Sequence, residues 1–225
     1  MKLKLIALYL LPLLALLPLL TFASWEMDFD EDFAAAHGMP YVQVAYIETD
    51  NNCQFSTGVD SSDDLEVQTK IKPLGFIRAY RAVFGTYKDE SSNTFRIIQA
   101  EGSSAWYFYA NTIAGSGNTT VSASVLPYNA WSTVMLKRWQ YSVNGTTNSI
   151  TKQTKGSVYN GDMKVAAVDM RCRYAYFKMY KGGVLVFDGI PVIAPSGQGA
   201  FYDRVSKRLI ENLLGGSVIY GYVED

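Results

Sequence analysis

Three carboxylates raise the first question of chemistry. Glu26, Asp28 and Glu31 spell Glu-x-Asp-x-x-Glu. On a bulged strand this spacing can gather the three acids on one face, where two at about 5–5.5 Å could act as nucleophile and acid/base in retaining glycoside hydrolysis. The alternation of Trp25, Met27 and Phe29 with Glu26, Asp28 and Asp30 would suit such a strand. A reaction centre, however, needs rigid walls, and no strand-forming sequence precedes the motif to build a cleft. Residues 30–38 read instead as a short helix, with acids in its first turn, alanines in its middle, Gly38 at its cap and Pro40 just beyond. The stretch is read as a solvated acidic linker, and no catalytic residue is assigned.

Other reaction chemistries are narrowed by residue type. The single histidine is His37, so the chain from Tyr41 onward has no imidazole for a Ser-His-Asp or Cys-His site, nor for a zinc site with His ligands. Gly115-Ser-Gly117 and Gly197-Gln-Gly199 lack the other positions of a phosphate-binding loop. Calcium has no recognisable ligand spacing, so no metal site is placed. Cys53 and Cys172 are the two cysteines. In an exported chain they could close one disulfide, or stand as two buried thiols.

Aromatic side chains offer binding chemistry instead. In Trp106-Tyr-Phe-Tyr109, strand geometry puts Trp106 and Phe108 on one face and Tyr107 and Tyr109 on the other. One face must be core, and the other would form a flat platform able to stack on sugar rings or meet a partner. Trp139 and Tyr141 form a second such candidate. Against this stands the plainer reading that both faces are covered by the fold.

Three segments must position these residues. The chain has 225 residues, 48% of them hydrophobic, with a net charge of −1. These values suit one folded body and argue against disorder and against a nucleic-acid partner. Residues 1–24 are Leu-rich, with Lys2 and Lys4 ahead of an uncharged run and Thr21-Phe-Ala23 at its end. They read as a hydrophobic helix serving as signal peptide or retained anchor, which implies export to the cell surface, the medium or a virion. Residues 25–40 form the acidic connector, holding Glu26, Asp28, Asp30, Glu31 and Asp32 without a lysine or arginine.

Residues 41–225 read as an all-β body. Strands are expected at 41–48, 65–71, 77–87, 94–99, 105–110, 121–126, 134–136, 139–143, 165–169, 174–180, 184–187, 201–202 and 218–223. Leu65, Val67, Thr69 and Ile71 alternate onto one face. Asn144-Gly145 and Gly182-Gly183 are hairpin turns, with Tyr180 and Phe187 expected to pair across the second. Arg171-Cys-Arg173 and Lys207-Arg208 read as ordinary surface charge. So many short strands in one body imply a two-sheet antiparallel sandwich, most simply a jelly roll.

Five stretches then carry a family likeness. They are Tyr46-Ile-Glu-Thr through Thr57-Gly58, Val83-Phe-Gly85, and Trp131-Ser-Thr-Val134 with Tyr141-Ser-Val-Asn-Gly145. Phe177–Val192 and Gly199-Ala-Phe-Tyr-Asp-Arg-Val205 complete the set, with Asn212 beyond. In this order they resemble the laminin-G-like, concanavalin-A-like lectin-glucanase domains of phage structural proteins and gut-bacterial surface proteins. The resemblance implies the jelly-roll fold, with Trp131 as a core anchor, and a non-catalytic module that binds cell-surface glycan or mediates adhesion. It also leaves two alternatives, a purely structural surface or virion protein that contacts other subunits, and a glycoside hydrolase of the same fold.

Overall fold

The structure, a computed structural model, describes residues 39–50, 52–76, 82–86, 93–99, 105–113, 119–150, 160–166 and 170–223. The chain divides into two compact units, residues 1–43 and 44–225. The leader helix, Glu26, Asp28, Glu31 and His37 lie outside the described residues. Among the described residues there is no helix long and apolar enough to cross a membrane.

The second unit is all-β and built as a sandwich of two antiparallel sheets. Its strands are β1 (Tyr46–Thr49), β2 (Phe55–Asp60), β3 (Leu65–Phe76), β4 (Ala82–Thr86), β5 (Asn93–Gln99) and β6 (Trp106–Ile113). There follow β7 (Thr119–Val121), β8 (Ser132–Lys137), β9 (Gln140–Val143), β10 (Thr146–Ser149) and β11 (Asp162–Val165). The last are β12 (Met170–Lys181), β13 (Val184–Ile193), β14 (Gly199–Asp203), β15 (Arg208–Ile210) and β16 (Val218–Gly221). The larger sheet runs β10-β9-β8-β3-β12-β13-β14-β15, and β1 with β16 branches from β12. The smaller runs β2-β11-β4-β5-β6-β7.

The alternation expected of residues 65–71 is present: Leu65, Val67, Thr69 and Ile71 are buried while Glu66, Gln68 and Lys70 face outward. Rings interlock between the sheets. Phe84 meets Phe177 edge-on at 5.3 Å, Phe55 meets Phe201 at 5.3 Å, and Phe108 meets Tyr141 at 4.8 Å. The Tyr174 hydroxyl donates to the Val83 carbonyl at 2.8 Å, a polar tie between sheets inside the apolar core. Gly85 lets β5 lie close against β4, because an added Cβ would be 2.1 Å from the Cβ of its register partner Arg96.

Several expected elements differ. Residues 122–126 form a turn, and the strand of that region is Thr119–Val121 instead. The expected strands at 134–136 and 139–143 are Ser132–Lys137 and Gln140–Val143, and Trp139 lies in the turn between them with φ 62°. Phe187 stands opposite Met179, since a bulge between Met179 and Tyr180 sets Tyr180 opposite Leu185. Both expected hairpin turns form. Asn144 and Gly145 have φ of 49° and 82°, and Gly182 and Gly183 have 55° and 81°, the left-handed pairs that match strand twist.

Candidate functional site

The aromatic run on β6 splits as strand geometry requires, but it does not make an open platform. Trp106 is fully buried and donates from its indole nitrogen to the Leu126 carbonyl at 2.8 Å, so it is a core residue rather than a ligand contact. Tyr109 is 3% exposed, with Arg96 over its ring at 5.0 Å, while Tyr107 is half-buried and edge-on to it at 6.3 Å. Tyr141 is 8% exposed because it closes on Phe108. Trp139, half-buried under Arg138, belongs to the other sheet, so the five residues do not converge.

Both cysteines are free thiols. Cys53 donates to the Ser217 carbonyl at 3.3 Å and to Asp50 Oδ1 at 3.4 Å, whereas Cys172 lies on the core face of β12. Burial pushes Cys53 up to about 12 and Cys172 still further, so neither is poised as a nucleophile. Among the described residues no group of three or more His, Cys, Asp or Glu side chains converges on a point.

A concave site lies at the end of the sandwich where β14 and β16 meet their loops. Asn212 shapes it. Its Oδ1 accepts from Gln54 N at 2.8 Å and Leu214 N at 3.2 Å, and its Nδ2 donates to the Gly216 carbonyl at 2.8 Å. These bonds fold the loop on itself and against Gln54, and the Ser196 hydroxyl donates to Glu211 Oε1 at 3.4 Å from the turn at 195–198. One hollow, about 260 Å³, is lined by Ser196, Gln198, Gly199, Glu211, Asn212 and Gly215. A second, about 380 Å³, is lined by Gly197, Gln198, Ser217, Val218, Ile219 and Tyr220. Gln198 is common to both, so a hydroxyl, a carboxamide and a carboxylate lie on one side and the exposed Ile219 lies on the other. Glu211 is the single acid among these lining residues.

The outer face of the larger sheet carries an array that the sequence reading missed. Arg173 donates from Nε to Glu48 Oε2 at 2.7 Å, and Arg171 reaches Glu48 Oε1 at 3.4 Å. The Glu48 side chain is only 8% exposed and Arg173 17%, while Arg171 is 50% exposed. Arg173 also lies 4.5 Å over the Tyr46 ring, Tyr46 packs at 5.9 Å against Trp131, and Lys70 caps Trp131 at 5.5 Å. Trp131 is therefore half-buried on this outer face rather than a core anchor. Arg171-x-Arg173 could have signalled the cluster, since alternate residues of a strand share a face. Its partner Glu48, however, is more than 120 residues away in sequence.

No family model matches the sequence, and no curated protein is similar to it.

Proposed function

We propose that this chain is a non-catalytic module of the concanavalin-like jelly-roll type, exported to a cell surface or virion, which binds cell-surface glycan in its end groove and so mediates adhesion. The observation that carries the reading is the two-sided lining around Gln198. A sugar presents vicinal hydroxyls, which donate and accept at once, and an apolar face of C–H groups. The Gln198 carboxamide does both, Glu211 accepts, and the exposed Ile219 side chain gives the C–H face a partner. The likeness of the five stretches to lectin-glucanase domains supports the same class.

Glycoside cleavage fits this groove less well, because both hydrolytic geometries need two carboxyl groups across the scissile bond, and the described lining offers Glu211 alone. Contact with other subunits has one observation in its favour. Leu213, Ile219, Tyr222 and Val223 are 55–74% exposed near the C-terminal end of the sequence. A glycan array on the purified protein decides. Binding of one sugar class that Gln198→Ala and Glu211→Ala each weaken supports adhesion through the groove. Absence of any sugar binding, with self-association seen in sedimentation, would replace it with a subunit contact.

A further inference from the structure

The two hollows at the end of the sandwich differ in what they offer a ligand. In the first, Asn212 is already engaged on both sides of its amide. Its Oδ1 accepts from Gln54 N and Leu214 N, and its Nδ2 donates to the carbonyls of Gly216 at 2.8 Å and Asn52 at 3.5 Å. The Ser196 hydroxyl turns its proton to Glu211 Oε1, which leaves its lone pairs toward a ligand. Glu211 is exposed, and among the described residues no lysine or arginine pairs with it. The first hollow is therefore rich in acceptors and negatively charged, with the Gln198 carboxamide as its one side-chain donor. The second hollow runs along the open side of β16. Asp50 and Ala45, which flank β1, donate from their amides to the Ser217 and Gly221 carbonyls at 3.4 and 2.8 Å. Alternation along an antiparallel strand turns the peptide groups of Val218 and Tyr220 the other way. Among the described residues β16 pairs with β1 alone. This hollow has no charged side chain, and it sets backbone donors and acceptors beside the exposed Ile219.

We infer that the two hollows are neighbouring subsites for a linear glycan, the first taking an amino sugar with its protonated amine on Glu211 and the second a neutral sugar along the β16 edge. The inference rests on the reading of this groove as a glycan site and names the class that it selects. An ammonium supplies the donors that the first hollow lacks, and its bond to a carboxylate is charge-assisted, roughly twice as strong as one between neutral groups. An acetylated amine keeps an N–H but loses the charge. An acidic sugar meets Glu211 as a like charge and is rejected. Gln198 lines both hollows, so its carboxamide stands where the two sugars join. At about 260 and 380 Å³, each hollow has room for one ring rather than a chain.

The test is calorimetric titration of the purified full-length protein with the tetramers of glucosamine, N-acetylglucosamine, glucose and galacturonate, and with glucosamine itself. The glucosamine tetramer should bind roughly tenfold tighter than the acetylated and neutral ones, and galacturonate most weakly. Because two subsites share one chain, the monomer should bind about tenfold or more weakly than its tetramer. Raising the salt from roughly 50 to 200 mM should narrow the preference for the amine. Glu211→Gln should bring the glucosamine and glucose tetramers to within about twofold of each other at an unchanged melting temperature. Gln198→Ala should weaken both together and leave their ratio as it was. Galacturonate binding as tightly as glucosamine, a preference that survives Glu211→Gln, or a monomer as tight as the tetramer overturns the inference and leaves the groove reading in place. Absence of binding by all five overturns it too, and a sugar class found on the glycan array would then keep the groove without the amine.

Discussion

Glu48 and Arg173 face each other across the seam between β1 and β12. They are register partners, and the arginine Nε donates to the carboxylate at 2.7 Å. The same guanidinium rests on the ring of Tyr46, two positions earlier on β1. β1 thus joins β12 by backbone ladder, ion pair and ring contact together, at the point where the larger sheet branches.

That pair is a stability determinant. Glu48→Gln removes the carboxylate that Arg171 and Arg173 both reach. Breaking a fully buried pair costs about 3–5 kcal/mol. Arg173 keeps some solvent contact, so the expected loss is about 2 kcal/mol. Urea unfolding of the variant against the parent measures it. An unchanged midpoint would show that the pair contributes nothing net.

Trp106 anchors the core, and its truncation should act through the fold. Trp106→Ala removes a fully buried ring and leaves the Leu126 carbonyl without its donor, for an expected loss of about 3–5 kcal/mol. Tyr107→Ala, half-buried on the opposite face, should lose far less. Thermal melts of the two variants rank them. A Trp106→Ala protein that melts like the parent would mean that the ring is not enclosed in solution.

What the sequence made legible is local. Period-two burial at Leu65, Val67, Thr69 and Ile71 and the two glycine-bearing hairpins follow from rules that act over a few residues. Strand β2 escaped because Ser56, Thr57 and Gly58 look like a turn. The structure explains them otherwise, since Asp162 on the neighbouring β11 accepts from the Ser56 hydroxyl and from the Gly58 amide. Trp131 was misjudged for a related reason. A tryptophan ahead of an apolar strand suggests a core anchor, yet Lys70 and Tyr46 give it a home on the outer face. Neither candidate surface was visible, because Glu48 meets Arg173, and Gln198 shares its groove with Glu211 and Tyr220, only after distant strands have paired.

Tyr174 tests the tie between sheets. Its hydroxyl donates to the Val83 carbonyl at 2.8 Å from a fully buried position. Tyr174→Phe keeps the ring and leaves that carbonyl its second bond, from the Ala166 amide at 2.9 Å, so the expected loss is about 0.5–1.5 kcal/mol. Hydrogen exchange should quicken along β4 and β12 together if the bond couples them. A loss of protection confined to β12 would show that the sheets are held by packing alone.

The buried thiols and phenols predict an alkaline limit to stability. An unfolded chain titrates cysteine near 9.0, but burial pushes Cys53 up to about 12 and Cys172 up as well. Tyr128 is pushed up to about 12 from 10.0, and Tyr174 well above 10.0, by the same desolvation. Above pH 9 the unfolded state therefore binds fewer protons than the native one, and stability must fall as pH rises, by up to about 1.4 kcal/mol per unit for each such group. Below pH 9 both states hold these protons and the contribution is fully present. Urea midpoints should stay level from pH 7 to about 8.5 and drop between 9 and 11. In Cys172→Ala the drop between 9 and 10 should be shallower, from a lower starting stability. Without reductant, a thiol reagent should leave the native protein unlabelled and find two thiols after denaturation. Recovery of no thiol would mean that Cys53 and Cys172 are bridged, and an unaltered alkaline slope in the variant would remove Cys172 as a source of it.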